Sequence, residues 1–423
     1  MQEDFLHYLW QFKKFNTALL KTTNHEDVVI KTVGTHNLNS GPDFFNAQLK
    51  INHQDWAGNV EIHVKSSDWY VHNHEIDPAY DNVILHVVWE HDVEVFRNDK
   101  TVIPTLVLKN YTQENTLNNY KVLFAKTKQW INCENDFKNI DPFIIDGWLE
   151  RLYIERLERK SLEIDALLKA SKNNWEAVLF KMLAKNFGSK VNGDAFFSMA
   201  NGIEFAVVRK LSKDQKLLEA LFFGLTNLLH VSVTDNHTEI LQKEYHYLSR
   251  KFKIDAQGVV KSQFFRLRPA NFPTIRLSQL AGLYSGRQNL FSKIIDIQSL
   301  PEFYTLFQVT ASTYWDTHYT FGKVSSQRKK TVSKSFIDLL LINTIIPLKF
   351  SFAKFEGKLI DASLLNLIAN IKSEKNSVVD QFNKLKKVSN SALQSQGLLQ
   401  LKNEYCSKNK CLKCAIGSKL LNK

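Results

Sequence analysis

The stretch Val60-Glu61-Ile62-His63-Val64-Lys65 decides how the N-terminal part of this chain folds. Apolar and polar residues alternate, the period of a half-buried β-strand, so Glu61, His63 and Lys65 leave one face while Val60, Ile62 and Val64 leave the other. An acid, an imidazole and an amine are thereby aligned. Outward from this strand, Val28 to Val33, Phe45 to Ile51, Val83 to Trp89 and Thr101 to Leu108 are further β-branched or alternating runs. Turn chemistry separates them at Gly41-Pro42, Gly58-Asn59, Asp77-Pro78 and Asn98-Asp99. Ahead of them, Glu3 to Phe15 spaces Phe5, Leu6, Leu9, Trp10 and Phe12 as an amphipathic helix does. Residues 1–112 are therefore expected to form an α/β domain, one helix followed by a mixed sheet.

Beyond Asn110 the pattern turns helical. Trp148 to Ser171 is long, charged and periodic, and further helical stretches follow to about residue 404 without a repeat of fixed period. Residues 113–423 are expected to form a mainly α-helical domain.

Composition narrows the function classes. The chain has 423 residues, 44% of them hydrophobic and 23% charged, which excludes large-scale disorder. Its 55 Lys and Arg against 43 Asp and Glu give a net charge of +12, favouring a polyanionic partner such as nucleic acid. Glu3, Asp4 and His7 occupy the positions where a signal peptide would be basic and then apolar. The longest apolar candidate, Phe336 to Phe350, is interrupted by Asp338, Asn343, Pro347 and Lys349, so no membrane segment is expected and a cytoplasmic location is. In that reducing compartment the four cysteines are free thiols or metal ligands.

Six of the thirteen histidines (His53, His63, His72, His74, His86 and His91) fall between Gly41 and Asp92. Gly41-Pro42-Asp43-Phe44 stands at the mouth of the strand before Glu61, so neighbouring strands can bring Asp43 and Glu61 around one Mg2+ or Mn2+. His63 or Lys65 beside them would orient water or stabilise developing negative charge. Asp68, His72, His74 and His86 are possible accessory residues. A zinc hydrolase using His63, His72, His74 or His86 is a further reading, although their spacing matches no recognised zinc motif. Against these stands the ordinary alternative, in which a residue such as His86 is a satisfied core histidine.

Pro42-Asp43 followed by Glu61-Ile62-His63 resembles the PD-(D/E)xK phosphodiesterase superfamily, in which a helix precedes a sheet bearing Pro-Asp and then Glu-x-Lys. The resemblance implies a restriction-endonuclease-like fold with Asp43 and Glu61 as acids. It departs at His63, where lysine is usual, with Lys65 two residues onward on the same face. Ile62-His63, Trp69 and His72-Asn73-His74 are similar to the strand histidine, tryptophan and His-x-His of the very-short-patch repair endonucleases, over about 35 residues.

Cys406, Cys411 and Cys414 lie near the end of the chain, with Cys133 far upstream. A Cys-x2-Cys pair with a third cysteine five residues earlier can present three thiolates, and Cys133 would be the fourth ligand of zinc or a [4Fe-4S] cluster. The plan is similar to that of nucleases of the same superfamily whose iron-sulfur ligands straddle the chain. Surface thiols are the alternative.

Phe264 to Arg276 interleaves Arg266, Arg268 and Arg276 with aromatics and prolines. The arginines suit phosphates and the phenylalanines suit bases, or the segment is a loop pinned into a core. Gly41-Pro42-Asp43-Phe44, Val60 to Val64, Asp68-Trp69, Arg268 to Pro273 and the terminal cysteine segment together resemble a bacterial family known only as a domain of unknown function. The sequence thus points to a metal-dependent, nuclease-like phosphodiesterase acting on nucleic acid. The alternative is a catalytically degenerate nuclease fold that binds nucleic acid or serves as a scaffold.

Overall fold

A computed structural model describes residues 1–125, 129–232, 235–358 and 362–423. The chain divides into two compact units, 1–145 with 401–423, and 146–400. An N-terminal mixed α/β region is followed by a mainly helical one.

The first unit opens with helix α1, Glu3–Gln11, whose buried side is Phe5, Leu6, Tyr8, Leu9 and Trp10. The expected helix ran on to Phe15. It stops because Lys13 adopts the left-handed conformation (φ 48°), and the Lys13 and Lys14 amides turn back onto the Trp10 and Leu9 carbonyls.

Strands β1 (Leu20–Lys21), β2 (Asp27–Thr32), β3 (Thr35–His36), β4 (Phe44–Ile51), β5 (Gln54–Lys65), β6 (Val83–Glu90) and β7 (Thr105–Val107) form one sheet. Its order is β1-β2-β4-β5-β6-β7, with β3 also paired to β4. β2, β4 and β5 are antiparallel, whereas β5, β6 and β7 run parallel. β6 reads Val-Ile-Leu-His-Val-Val, buried residue by residue, as a strand covered on both faces should.

Two elements depart from the pattern expected of the sequence. The turn expected at Gly58 lies instead at Asn52-His53, where Asn52 takes a left-handed φ of 52° and Ile51 pairs with Gln54. Gly58 sits inside β5 because a Cβ there would come within 2.6 Å of the Asn82 carbonyl oxygen and 2.5 Å of Ile84. The last strand covers only Thr105–Val107, since Pro104 has no N–H to extend the ladder. The Pro104 carbonyl still accepts the His86 amide at 2.9 Å.

The second unit is built from helices including Trp175–Asn201, Gln215–Leu225, Asn236–Phe252 and Pro273–Tyr284, with a small hairpin of His318–Thr320 and Lys323–Val324. Asn174 and Asp235 side chains accept the Ala177 and Thr238 amides and so start two of these helices. Phe180, Phe187, Phe196, Phe222, Phe223 and Trp315 are fully buried in its core, each contributing about 1.5–3 kcal/mol by leaving water. The continuous helix Lys334–Phe355 is long and apolar enough, by length and composition, to cross a membrane, unlike the interrupted segment expected from sequence. Two thirds of its apolar window is buried within the unit, as in a core helix.

A buried acid makes this unit sensitive to pH. Glu219 accepts hydrogen bonds from Ser278 and Ser312, yet burial outweighs them and pushes its carboxyl up to about 7. Between the unfolded value near 4.5 and about 7, the folded chain holds a proton that the unfolded chain has released. Stability is therefore lost as pH rises through that window, by about 1.4 kcal/mol per pH unit at most. Glu219→Gln is expected to flatten this dependence in thermal melts between about pH 5 and 8.

Candidate metal centre

β5 and β6 pair in a parallel register that sets Glu61 against His86 and His63 against Val88. Residues paired across adjacent strands share a face, so the acid and both imidazoles project to the same side. All three are buried, at 5%, 1% and 0% exposure. Of the residues that the alternation set on one face, Glu61 and His63 do share it, with 3.5 Å between Glu61 Oε1 and His63 Nε2.

After β5 the chain turns sharply, and four side chains hold the turn. Asp92 accepts from Ser66 Oγ, the Ser67 amide and Ser67 Oγ at 2.9, 2.9 and 2.8 Å, while Asp68 Oδ2 accepts the Lys65 amide at 2.9 Å. Helix α2, Asp68–Val71, then buries Trp69, whose Nε1 donates to the Phe96 carbonyl at 3.2 Å. Asn73 takes a left-handed φ of 59°, which asparagine tolerates better than most residues. His72 and His74, on either side of it, both turn back to β5. The His74 ring stacks on Tyr80 at 3.7 Å between centroids and meets Trp69 edge-on at 5.3 Å.

The result is one converging set of donors. His63 Nε2 lies 3.1 Å from His72 Nδ1, and Glu61 Oε1 lies 3.3 Å from His74 Nε2 and 3.5 Å from His63 Nε2. Four ligands at 2.0–2.1 Å from a tetrahedral zinc stand about 3.3 Å apart, the same separation. His63, His72 and His74 offer nitrogen atoms that all lie within 4.8 Å of one another. Burial, reinforced by the neighbouring imidazoles, pulls His63 down to about 3, and burial lowers His74 as well. Both are therefore neutral at physiological pH, the state in which imidazole binds a metal.

A second layer supports these donors. His63 Nδ1 is 2.9 Å from His86 Nε2, and burial beside His63 holds His86 well below its ordinary value. With His63 Nε2 given to an ion, its Nδ1–H donates to His86, which fixes ring orientation and tautomer. The Asp43 amide donates to Glu61 Oε2 at 3.1 Å, while Asp43 Oδ2 accepts the Ile62 amide at 3.0 Å and lies 3.1 Å from His7 Nε2. Burial, added to the charge of Asp43, pushes Glu61 up to about 9. Against the cost of burial, Asp43 holds His7 above its usual value.

Other expected site residues fall elsewhere. Lys65 is exposed, and among the described residues no ion pair joins it to Asp43 or Glu61. Asp68 holds the turn after β5. Arg266 and Arg268 lie in the second unit, both exposed, whereas Arg276 is buried, its guanidinium 3.5 Å over the Phe336 ring and bonded to Gln279 and Asn271. His7 and His36, whose rings meet at 5.3 Å beside Asp43, escaped the sequence reading. The polar side of α1, with Glu3 and His7 one turn apart, was the available signal.

The expected cysteine centre is corrected. Cys133, Cys406, Cys411 and Cys414 form no disulfide and border a narrow apolar crevice with Leu123, Ile131, Phe137, Leu401 and Ile416. Among the described residues, His63, His72 and His74 form the group of three or more ligands close enough to share an ion, and no cysteine set does. Neither zinc nor [4Fe-4S] is therefore assigned to the cysteines.

Fold and site together define a mixed α/β protein with a histidine triad able to hold a metal ion. A family described as "Protein of unknown function (DUF2851)" matches residues 3–377, and the chain belongs to it. No curated protein and no solved structure matches.

Proposed function

We propose that this protein is a metal-dependent hydrolase of phosphodiesters, with a first-row transition ion held by His63, His72 and His74 and with Glu61 at the edge of that set. The observation that carries the reading is the convergence of His63 Nε2, His72 Nδ1, His74 Nε2 and Glu61 Oε1, with neighbouring donors 3.1–3.5 Å apart. Three imidazoles favour zinc and its neighbours over Mg2+, which prefers oxygen ligands. Such an ion supplies an acidified water and a Lewis acid for a phosphoryl oxygen. An ion held beside it would draw the Glu61 carboxyl back down from the value that burial gives it, and the carboxylate would then receive the proton of the attacking water, with the Asp43 main-chain N–H orienting it through its hydrogen bond to Oε2. His7 keeps Asp43 in place.

Nucleic acid is the proposed substrate class, supported by the net charge of +12 and by the accessible Arg266 and Arg268. The helix followed by a mixed sheet supports the restriction-endonuclease-like reading of the first unit. A second reading, a nucleic-acid-binding protein that keeps the metal without turnover, is favoured by the exposure of Lys65. The two separate in an assay of bis(p-nitrophenyl) phosphate, single- and double-stranded DNA, and RNA, each supplied with Zn2+, Mn2+ or Fe2+. Turnover lost in Glu61→Gln supports the hydrolase. Stoichiometric metal and tight nucleic-acid binding without turnover support the binding protein, and no bound metal removes both.

A further inference from the structure

The second unit carries a cavity of about 530 Å3 unrelated to the histidine centre. Its wall is largely apolar, with Ile164, Leu167, Met182 and Phe197, and its size falls in the range that accepts small organic ligands, roughly 300–1,000 Å3. Two cations face it, Lys160 and Lys185, with the side-chain amides of Asn186 and Asn343. We propose that this cavity binds an amphipathic organic anion, its acid head on Lys160 and Asn343 and its apolar tail along Leu167, Met182 and Phe197.

Three features support this assignment. Lys160 projects from the helix Pro142–Ala170, and its Nζ donates to Asn343 Oδ1 at 3.1 Å. Among the described residues it forms no ion pair, although an enclosed ammonium needs an anion to remain charged. The ring of polar groups is thus one negative charge short. Secondly, Asn343 lies on the π-helical turn Leu341–Ile345, where the Ile346 amide reaches back to the Leu341 carbonyl. Pro347 has no N–H for the Asn343 carbonyl, the bond that a regular α-helix would make there. Such single π turns inside α-helices recur at binding sites. Thirdly, the exposed Lys185 and Glu163 stand at the rim, whereas the deeper residues are apolar. A neutral ligand would leave Lys160 uncompensated, and a cation would repel it.

The charged surroundings of Lys160 are Arg156, Arg159 and Glu163 on its own helix and Glu374 from another segment. Burial, with Arg156 adding to it, pulls its ammonium down to about 7, and Glu374 and Glu163 oppose this only in part. An anion arriving beside it reverses the shift, so binding draws a proton from solution.

The test is isothermal titration of the full-length protein with decanoate, decyl phosphate and 1-decanol at about pH 8, in buffers of different ionisation enthalpy. Decanoate or decyl phosphate is expected to bind one per chain, at least about tenfold more tightly than decanol, with proton uptake. Whichever of the two binds more tightly identifies the acid head. Lys160→Met, which keeps the length and apolar stem, is expected to weaken the anion at least about tenfold, abolish proton uptake and leave decanol unchanged. Circular dichroism melts confirm that this variant folds. Failure of both anions to bind wild type overturns the proposal, as does equal binding by Lys160→Met.

Discussion

His63→Ala is expected to abolish the thermal stabilisation that zinc confers on the wild-type protein. A ligand that binds only the folded state stabilises it by RT ln(1 + [L]/Kd), about 2.7 kcal/mol at a hundredfold excess over Kd. His63 is within 3.1 Å of His72 and 3.5 Å of Glu61, so its loss opens the middle of the donor set rather than its rim. The readout is the difference in Tm with and without zinc, alongside metal content after dialysis. His86→Phe separates binding from orientation. It keeps a buried ring but removes the acceptor 2.9 Å from His63 Nδ1, so affinity is expected to fall about 10–100-fold without being lost. A variant of His63 that retains full zinc stabilisation would place the ion elsewhere.

Glu61→Gln is expected to separate binding from chemistry. The amide keeps the volume of Glu61 at 5% exposure but cannot take a proton from water, a role worth about 10^2–10^4 in rate. Turnover of a phosphodiester is therefore expected to fall by that factor while the three imidazoles retain metal. A rise in KM with unchanged kcat would instead assign Glu61 to substrate binding. Asp43→Asn gives a smaller expected loss, about tenfold, because Asp43 reaches the centre through its main-chain amide, which the substitution leaves in place. The carboxamide so introduced would disturb mainly the contact to His7.

Much of the first unit could be read from side-chain periodicity. The alternation of Val60 to Lys65 placed Glu61 and His63 on one face, and the β-branched run at Val83 to Trp89 marked a strand. Turn chemistry misled at Gly58, because glycine there answers the close approach of the Asn82 carbonyl rather than a change of direction. The actual turn rested on Asn52, a residue equally at home in a strand end.

The site was legible in its members but not in its weighting. Two acids on neighbouring strands suggested an oxygen-ligated ion, since a strand shows its facing residues directly. His72 and His74 converge on His63 only because Trp69 anchors α2 and Asn73 turns left-handed, conformations that no linear spacing declares. His7 comes from α1, and nothing local to Asp43 announces it. The cysteines misled in the opposite sense: their spacing looked like a ligand set, but spacing along the chain does not say whether ligand atoms come close enough to share an ion, and among the described residues no cysteine set does.

X-ray absorption at the zinc edge of the zinc-loaded protein tests the histidine centre most directly. Nitrogen and oxygen ligands stand about 2.0–2.1 Å from zinc and sulfur about 2.3 Å, so the two shells are distinguishable. A shell of nitrogen and oxygen alone, with imidazole multiple scattering that diminishes in His63→Ala, is the predicted result. A sulfur shell, or a spectrum unchanged by that substitution, would contradict it.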